Sequence, residues 1–234
     1  MLVFIDLETT GFESTDKICS IALLYEDSYK YELINEGKKI SASASSIHHI
    51  TNEMIQGKQA LKETEIYEFL LEYNCDKNVL IMHNALFNMQ MLSLSGLEWQ
   101  GDIIDTQRVA KHLIEDCDSY SLQYMRYELR LYKEEQKVFQ KYGIKDALYA
   151  HHALSDALLV STLFNYLHEL VEIQTMKELS CKSVLLQKFS FGKYKGRYIE
   201  EIYMNDRAYL KWLIVNAKEI DEDMKYSINY YLQG

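Results

Sequence analysis

Short apolar runs and helical stripes alternate along the chain. Leu2-Val3-Phe4-Ile5 is an unbroken apolar run that stops at Asp6, as a buried strand does. Gly11 and Glu13-Ser14-Thr15-Asp16 predict a turn. Ile18 to Tyr25 is a second apolar run and Tyr29 to Ile34 alternates, so a hairpin or meander follows. Between Glu63 and Tyr73, residues Ile66, Phe69, Leu70 and Tyr73 have the 3,4 spacing of an amphipathic helix. Val79-Leu80-Ile81-Met82 reads as a buried strand, with a helix from about Ala85 to Leu92 behind it. Ile103-Ile104 predicts a short strand, and Asp105 is placed to N-cap a helix running through His112. Further helical patterns are Leu122/Met125/Leu129 and a long stripe from about His152 to Glu172 through Ala153, Leu158, Leu163, Leu167 and Leu170.

Strands first, then strands alternating with helices, predict an α/β domain with a mixed sheet over residues 1–175. The character changes near Cys181. Phe189, Phe191, Lys193, Tyr194, Lys195, Arg197 and Tyr198 follow in quick succession, then helical patterns at Tyr209/Trp212/Leu213 and Met224/Ile228/Leu232. A small aromatic and basic module over residues 185–234 is expected.

Composition narrows the class. The 234 residues are 48% hydrophobic and 26% charged, which excludes disorder as the main state. No run of about 18 uncharged apolar residues occurs, so a helical membrane span is not expected. Met1-Leu2-Val3-Phe4-Ile5-Asp6 has neither a basic leader nor a small-residue cleavage site, and Cys19, Cys75, Cys117 and Cys181 form no CxxC pair. Both features predict a cytoplasmic protein with reduced thiols. A net charge of −10 argues against coating nucleic acid by bulk charge, but allows a local basic patch or cation-holding carboxylates. There is no proline, where average usage gives about 12, so turns must rest on Gly, Asn, Asp and Ser.

Two places could carry chemistry. Asp6 and Glu8 are two apart on a strand and face one space, where their repulsion calls for a hard divalent cation such as Mg²⁺ or Mn²⁺. A solvated strand end is the bland alternative. Thr9-Thr10-Gly11 behind them lets backbone approach a ligand. The second place is His151 to Asp156: an acid near a helix start in apolar surroundings, preceded by a histidine able to act as a general base. Helix capping by Asp156 and a surface role for His151 are the alternatives.

Together these segments resemble the DEDD superfamily of 3′–5′ exonucleases, in the subgroup with a catalytic histidine. Phe4-Ile5-Asp6-Leu7-Glu8-Thr9-Thr10-Gly11 is similar to its first motif, His83-Asn84-Ala85-Leu86-Phe87-Asn88 to its second and His151 through Asp156 to its third. Ile47-His48-His49-Ile50-Thr51 and Asp105-Thr106 also fit family positions. The segment from Phe191-Gly192-Lys193 to Trp212 looks like the small C-terminal module of exonuclease-X-like proteins. The resemblance implies a ribonuclease-H-like mixed sheet flanked by helices and a two-metal mechanism using Mg²⁺ or Mn²⁺. Asp6, Glu8 and Asp156 would hold metal, and His151 would take a proton from water. Thr9, Thr10, Gly11, His48, Asn84 and Phe87 would meet substrate, although Phe87 could equally be core.

One departure stands out. Asn88 occupies the place where the second motif normally ends in aspartate. An amide carries no negative charge and brings a donor where a cation needs an acceptor. Losing one metal contact can remove several kcal/mol of transition-state stabilisation, and about 1.4 kcal/mol is tenfold in rate, so strongly reduced turnover is expected. The expected partner is a single-stranded 3′ end, DNA in preference to RNA, with no membrane. Lys188, Lys193, Lys195 and Arg197 among Phe191, Tyr194 and Tyr198 suit phosphate contact and stacking, or else a solvated loop. An inactive module that binds 3′ ends and an exoribonuclease are the competing readings, and a homodimer is left open.

Overall fold

The first apolar run extends further than its apolar residues, because Asp6 and Glu8 continue the strand as β1 (Leu2–Thr9). It pairs antiparallel with β2 (Ile18–Tyr25), which turns back into β3 (Ser28–Leu33). On its other side β1 runs parallel to β4 (Val79–Met82), and β4 runs parallel to β5 (Asp102–Asp105). The order β3-β2-β1-β4-β5 is a five-stranded mixed sheet with β1 at its centre. A computed structural model describes residues 1–144, 149–217 and 220–233.

The two faces of β1 feed different cores. Val3, Ile5 and Leu7 pack with Ile66, Leu70, Met91 and Leu92 from α2 (Glu65–Glu72) and α3 (Ala85–Leu94). Phe4 packs on the opposite face with Ala153, Leu154, Ala157 and Phe164 from α7 (Ala153–His168). Asp6 and Glu8 alternate with the first set and therefore share the α7 face. Before β4, α1 (Ala42–His48) is capped by the Ser41 side chain, which accepts from Ala44 N. Between β5 and α7 lie α4 (Thr106–Leu113), α5 (Leu122–Glu128) and α6 (Glu135–Lys141).

The long helix is shorter than its stripe suggested. It stops at His168, Leu170 is exposed, and α8 (Ile173–Cys181) starts a new direction with Met176 fully buried in the α7-side core. No glycine or proline marks this break; α7 ends where its buried positions give way to the exposed Leu170. Position 175 therefore falls within a helix of the first core.

A separate core forms from Phe189, Ile199, Ile202, Leu210, Leu213, Met224 and Ile228, carried by α9 (Ile199–Asn205), α10 (Arg207–Asn216) and α11 (Glu222–Gln233). It is tied to α4 by Arg108, whose guanidinium makes two hydrogen bonds to the buried Asp223 carboxylate, 2.9 and 3.1 Å long, and also donates to Lys182 O.

Candidate active site

Helix and strand rises bring three distant acids together. Phe164 meets Phe4 edge-on, ring centroids 5.3 Å apart. Eight residues back along α7 is about 12 Å, a little over two turns, and stays within one side of the helix. Four residues forward on β1 is about 13 Å. Asp156 thereby arrives beside Asp6 and Glu8.

Donor atoms of Glu8, His151 and Asp156 all lie within 4.8 Å of one another. Asp6 stands two residues deeper on β1. Burial, then the charges of Asp156 and Glu8, push its pKa well above the carboxylate range. Glu8 is pushed up to about 8 by burial and then by Asp156. Burial raises Asp156 to about 7 against hydrogen bonds from His151 N and Gln123 and the charge of Arg126. Acids gathered this closely, with the His151 ring beside them, offer a mainly oxygen ligand set that fits a hard divalent cation.

The segment carrying His151 is anchored by its neighbour. His152 stacks on Tyr31 of β3 at 4.6 Å and meets Tyr149 edge-on at 5.2 Å. His151 is left exposed, with a left-handed backbone (φ 59°) that directs its N–H to Asp156 Oδ2 at 3.0 Å.

The end of β1 is braced from behind. Its pairing with β2 shifts register between Glu8 and Thr9, an irregularity that re-aims a strand end. Thr9 Oγ1 donates to Gly11 O at 2.6 Å, and Thr10 Oγ1 donates to Asp16 Oδ1 at 2.7 Å. Asp16 also pairs with Lys38 at 2.7 Å. Gly11 is needed for closeness: a Cβ there would fall 2.5 Å from Asp16 Oδ2. His48 lies buried beneath. Its Nδ1 accepts from Ile50 N and its Nε2 donates to Thr9 O, both at 3.1 Å, so its ring supports the strand end with both nitrogens engaged. The hydroxyls of Thr9 and Thr10 are likewise engaged within the protein.

The second motif is set on α3. Asn84, exposed and left-handed (φ 58°), precedes the helix. Asp105 accepts from Asn84 N (3.1 Å) and Ala85 N (2.9 Å) while capping α4 through Gln107 N and Arg108 N. Phe87 is partly buried against the α2/α3-side core. Asn88 Nδ2 donates to His83 O at 2.9 Å and Asn84 O at 3.4 Å. That orientation is enforced, since the amide oxygen would be repelled by both carbonyls. The donor end therefore faces backbone. This corrects the expectation of a donor confronting the cation: what Asn88 lacks is charge.

The basic stretch in the C-terminal region is largely self-neutralised. Lys188 pairs with Asp116, Lys193 with Asp206 and Arg197 with Glu201, and Tyr194 hydrogen-bonds Asp206 at 2.6 Å. These contacts favour the solvated-loop reading. Tyr31, Gln123 and Arg126 surround or brace the site without any mark in the sequence that singles them out, and the bracing roles of Asp105 and His152 show only in the fold.

The family described as Exonuclease matches residues 3–164. The chain belongs to this exonuclease family. A second family, described as Exodeoxyribonuclease X-like C-terminal, matches residues 189–218. Among curated relatives, Exodeoxyribonuclease 10 of Escherichia coli (strain K12) is 25% identical over the full length of both chains. The DNA polymerase III PolC-type of Thermotoga maritima is 30% identical over 88% of this chain and 15% of the polymerase. Of solved structures, Exonuclease X in complex with 5′ overhanging duplex DNA superposes with a TM-score of 0.61 at 23% identity, over 77% of this chain and 99% of that one. The nuclease domain of 3′hExo, described as a DEDDh family member bound to rAMP, superposes at 0.51 with 15% identity, over 72% and 92%. The sheet and its flanking helices have the ribonuclease-H-like fold, and the chain is a DEDD-type 3′–5′ exonuclease. Enzymes of this type use divalent metals. Among the described residues no helix is long and apolar enough to cross a membrane.

Proposed function

We propose that this exonuclease releases mononucleotides from the single-stranded 3′ ends of DNA by metal-dependent hydrolysis, acting in the cytoplasm. The observation that carries the reading is the gathering of Glu8, His151 and Asp156 within 4.8 Å, with Asp6 close enough to feel both acids. Asp6, Glu8 and Asp156 would hold Mg²⁺ or Mn²⁺. Lewis-acid stabilisation of charge on the phosphodiester is what a bound divalent cation supplies. His151, exposed at the mouth of the cluster, takes the proton of the attacking water. Asn84 and the backbone of Thr9-Thr10-Gly11 face the terminal nucleotide, and His48 acts by holding the Thr9 carbonyl. Residues 1–175 carry the chemistry and residues 185–234 form the accessory module.

A DNA preference is supported by the names of the relatives, Exodeoxyribonuclease 10 and DNA polymerase III. Asn88 supplies no charge toward a second cation, so turnover is low. Mononucleotide release from labelled single-stranded DNA and RNA, with Mg²⁺ or Mn²⁺, tests this against the Asn88→Asp variant. Release from DNA over RNA, enhanced in the variant, is expected. Tight 3′-end binding without release from either protein would replace it with a binding module, and preference for RNA with an exoribonuclease.

A further inference from the structure

We infer that Gln123 is a positioning residue for Asp156, fixing the orientation of its carboxylate toward Glu8 and His151, and that Arg126 fixes Gln123 in turn. The inference rests on the proposed role of Asp156 as a cation-holding acid. Gln123 Nε2 donates to Asp156 Oδ1 at 2.8 Å, and His151 N donates to Asp156 Oδ2 at 3.0 Å. Both oxygens of one carboxylate are thus directed before any ligand arrives, by groups from two different segments.

Which end of the Gln123 amide faces Asp156 is decided one residue further out. Arg126 Nη1 lies 3.5 Å from Gln123 Oε1, and a guanidinium has only donors, so the amide oxygen turns to Arg126 and the nitrogen to Asp156. Arg126 is itself held by two hydrogen bonds to Glu135, one of them 2.7 Å from Nη2. The chain Glu135–Arg126–Gln123–Asp156 therefore runs from α6 through α5 to α7. It borders a cavity of about 10 Å³ lined in part by Gln123, Arg126, Glu135, Ser155 and Leu158. That space holds about one water at most, and Gln123, Arg126 and Glu135 around it are half-buried.

A neutral amide at this point has a chemical purpose. An arginine or lysine bonded directly to Asp156 would cancel its charge and compete for the lone pairs a cation needs. Gln123 delivers one donor without adding a positive charge that would offset a bound cation's. Partners that orient a metal-binding side chain typically change metal affinity 10–100-fold when removed.

Mn²⁺ titration by calorimetry of the DNA-free protein tests this, together with thermal unfolding in chelator. Gln123→Met keeps the length and apolar contacts but has no donor, while Gln123→Asn keeps an amide too short to reach Asp156. Both are expected to bind Mn²⁺ at least about tenfold more weakly than the parent chain. Their unfolding midpoints in chelator should stay within a few degrees of it, and KM for single-stranded DNA at saturating Mn²⁺ should be unchanged. Parental Mn²⁺ affinity in either variant, alongside loss of binding in Asp156→Asn, would overturn the role of Gln123 and leave the acid site standing. A parent chain that binds no Mn²⁺ would overturn both.

Discussion

Asn88 turns its amide nitrogen to the carbonyl of His83, 2.9 Å away, at the start of the helix that carries the second motif. The side chain thus serves the backbone with one end, and a carboxylate in its place could not. Asn88→Asp should therefore cost stability while gaining turnover. Losing both donated hydrogen bonds should lower unfolding stability in chelator by about 1–3 kcal/mol. The added charge should raise Mg²⁺-dependent nucleotide release at least about tenfold. Calorimetry and a single-strand release assay on the same preparation check both; equal rates would remove position 88 from the account of turnover.

The raised acids make metal-free stability depend on pH. Burial holds Glu8 at about 8 and Asp156 at about 7 in the folded chain. A carboxyl with a higher pKa folded than unfolded favours folding below its ordinary value of about 4, and that contribution is lost as pH rises through the folded value. The unfolding midpoint in chelator should fall between about pH 5 and pH 8. Added Mg²⁺ or Mn²⁺ should restore more at pH 8 than at pH 6. A cation increment that does not change with pH would contradict the placement of these acids.

Arg108 and Asp223 form the tie between α4 and the C-terminal core, and Asp223 also accepts from Val184 N at 3.0 Å. Asp223→Ala leaves a guanidinium and an amide without that partner. A loss of about 3 kcal/mol is expected, seen as earlier urea unfolding and faster proteolysis of residues beyond Cys181. Unchanged proteolysis would mean the module is held by other contacts.

Gly11 allows the Asp16 carboxylate to reach Thr10. In Gly11→Ala the new methyl would sit 2.5 Å from Asp16 Oδ2, forcing that side chain off Thr10 and Lys38. A loss of about 1–3 kcal/mol is expected. Removing the obstacle in Gly11→Ala/Asp16→Ala should give a double variant less destabilised than the two single losses added together. Strict additivity in urea denaturation would refute the contact.

The five strands are legible because four contain short apolar runs and β3 alternates, and β2 matches Ile18 to Tyr25 at both bounds. Helix α1 was not, since Ala42-Ser43-Ala44-Ser45-Ser46 has no apolar period and the helix depends on the Ser41 cap and two buried positions, Ala44 and His48. The turn before α8 is not legible in the sequence, because no local breaker marks the end of α7. In the site, strand alternation was enough to pair Asp6 with Glu8. Gln123 lies 33 residues from Asp156 and Asp105 lies 21 from Asn84. Neither sits in a spacing that relates it to its partner, so only the folded chain reveals these two pairings.

The backbone at residue 151 has a further consequence. A left-handed conformation costs a side-chain-bearing residue about 1–2 kcal/mol, and glycine would occupy it freely. Selection for heat resistance alone would push this codon toward glycine and erase the imidazole; selection for hydrolysis pushes it back. A thermostabilised descendant of this enzyme should be sequenced at that codon before its lost activity is blamed on anything else.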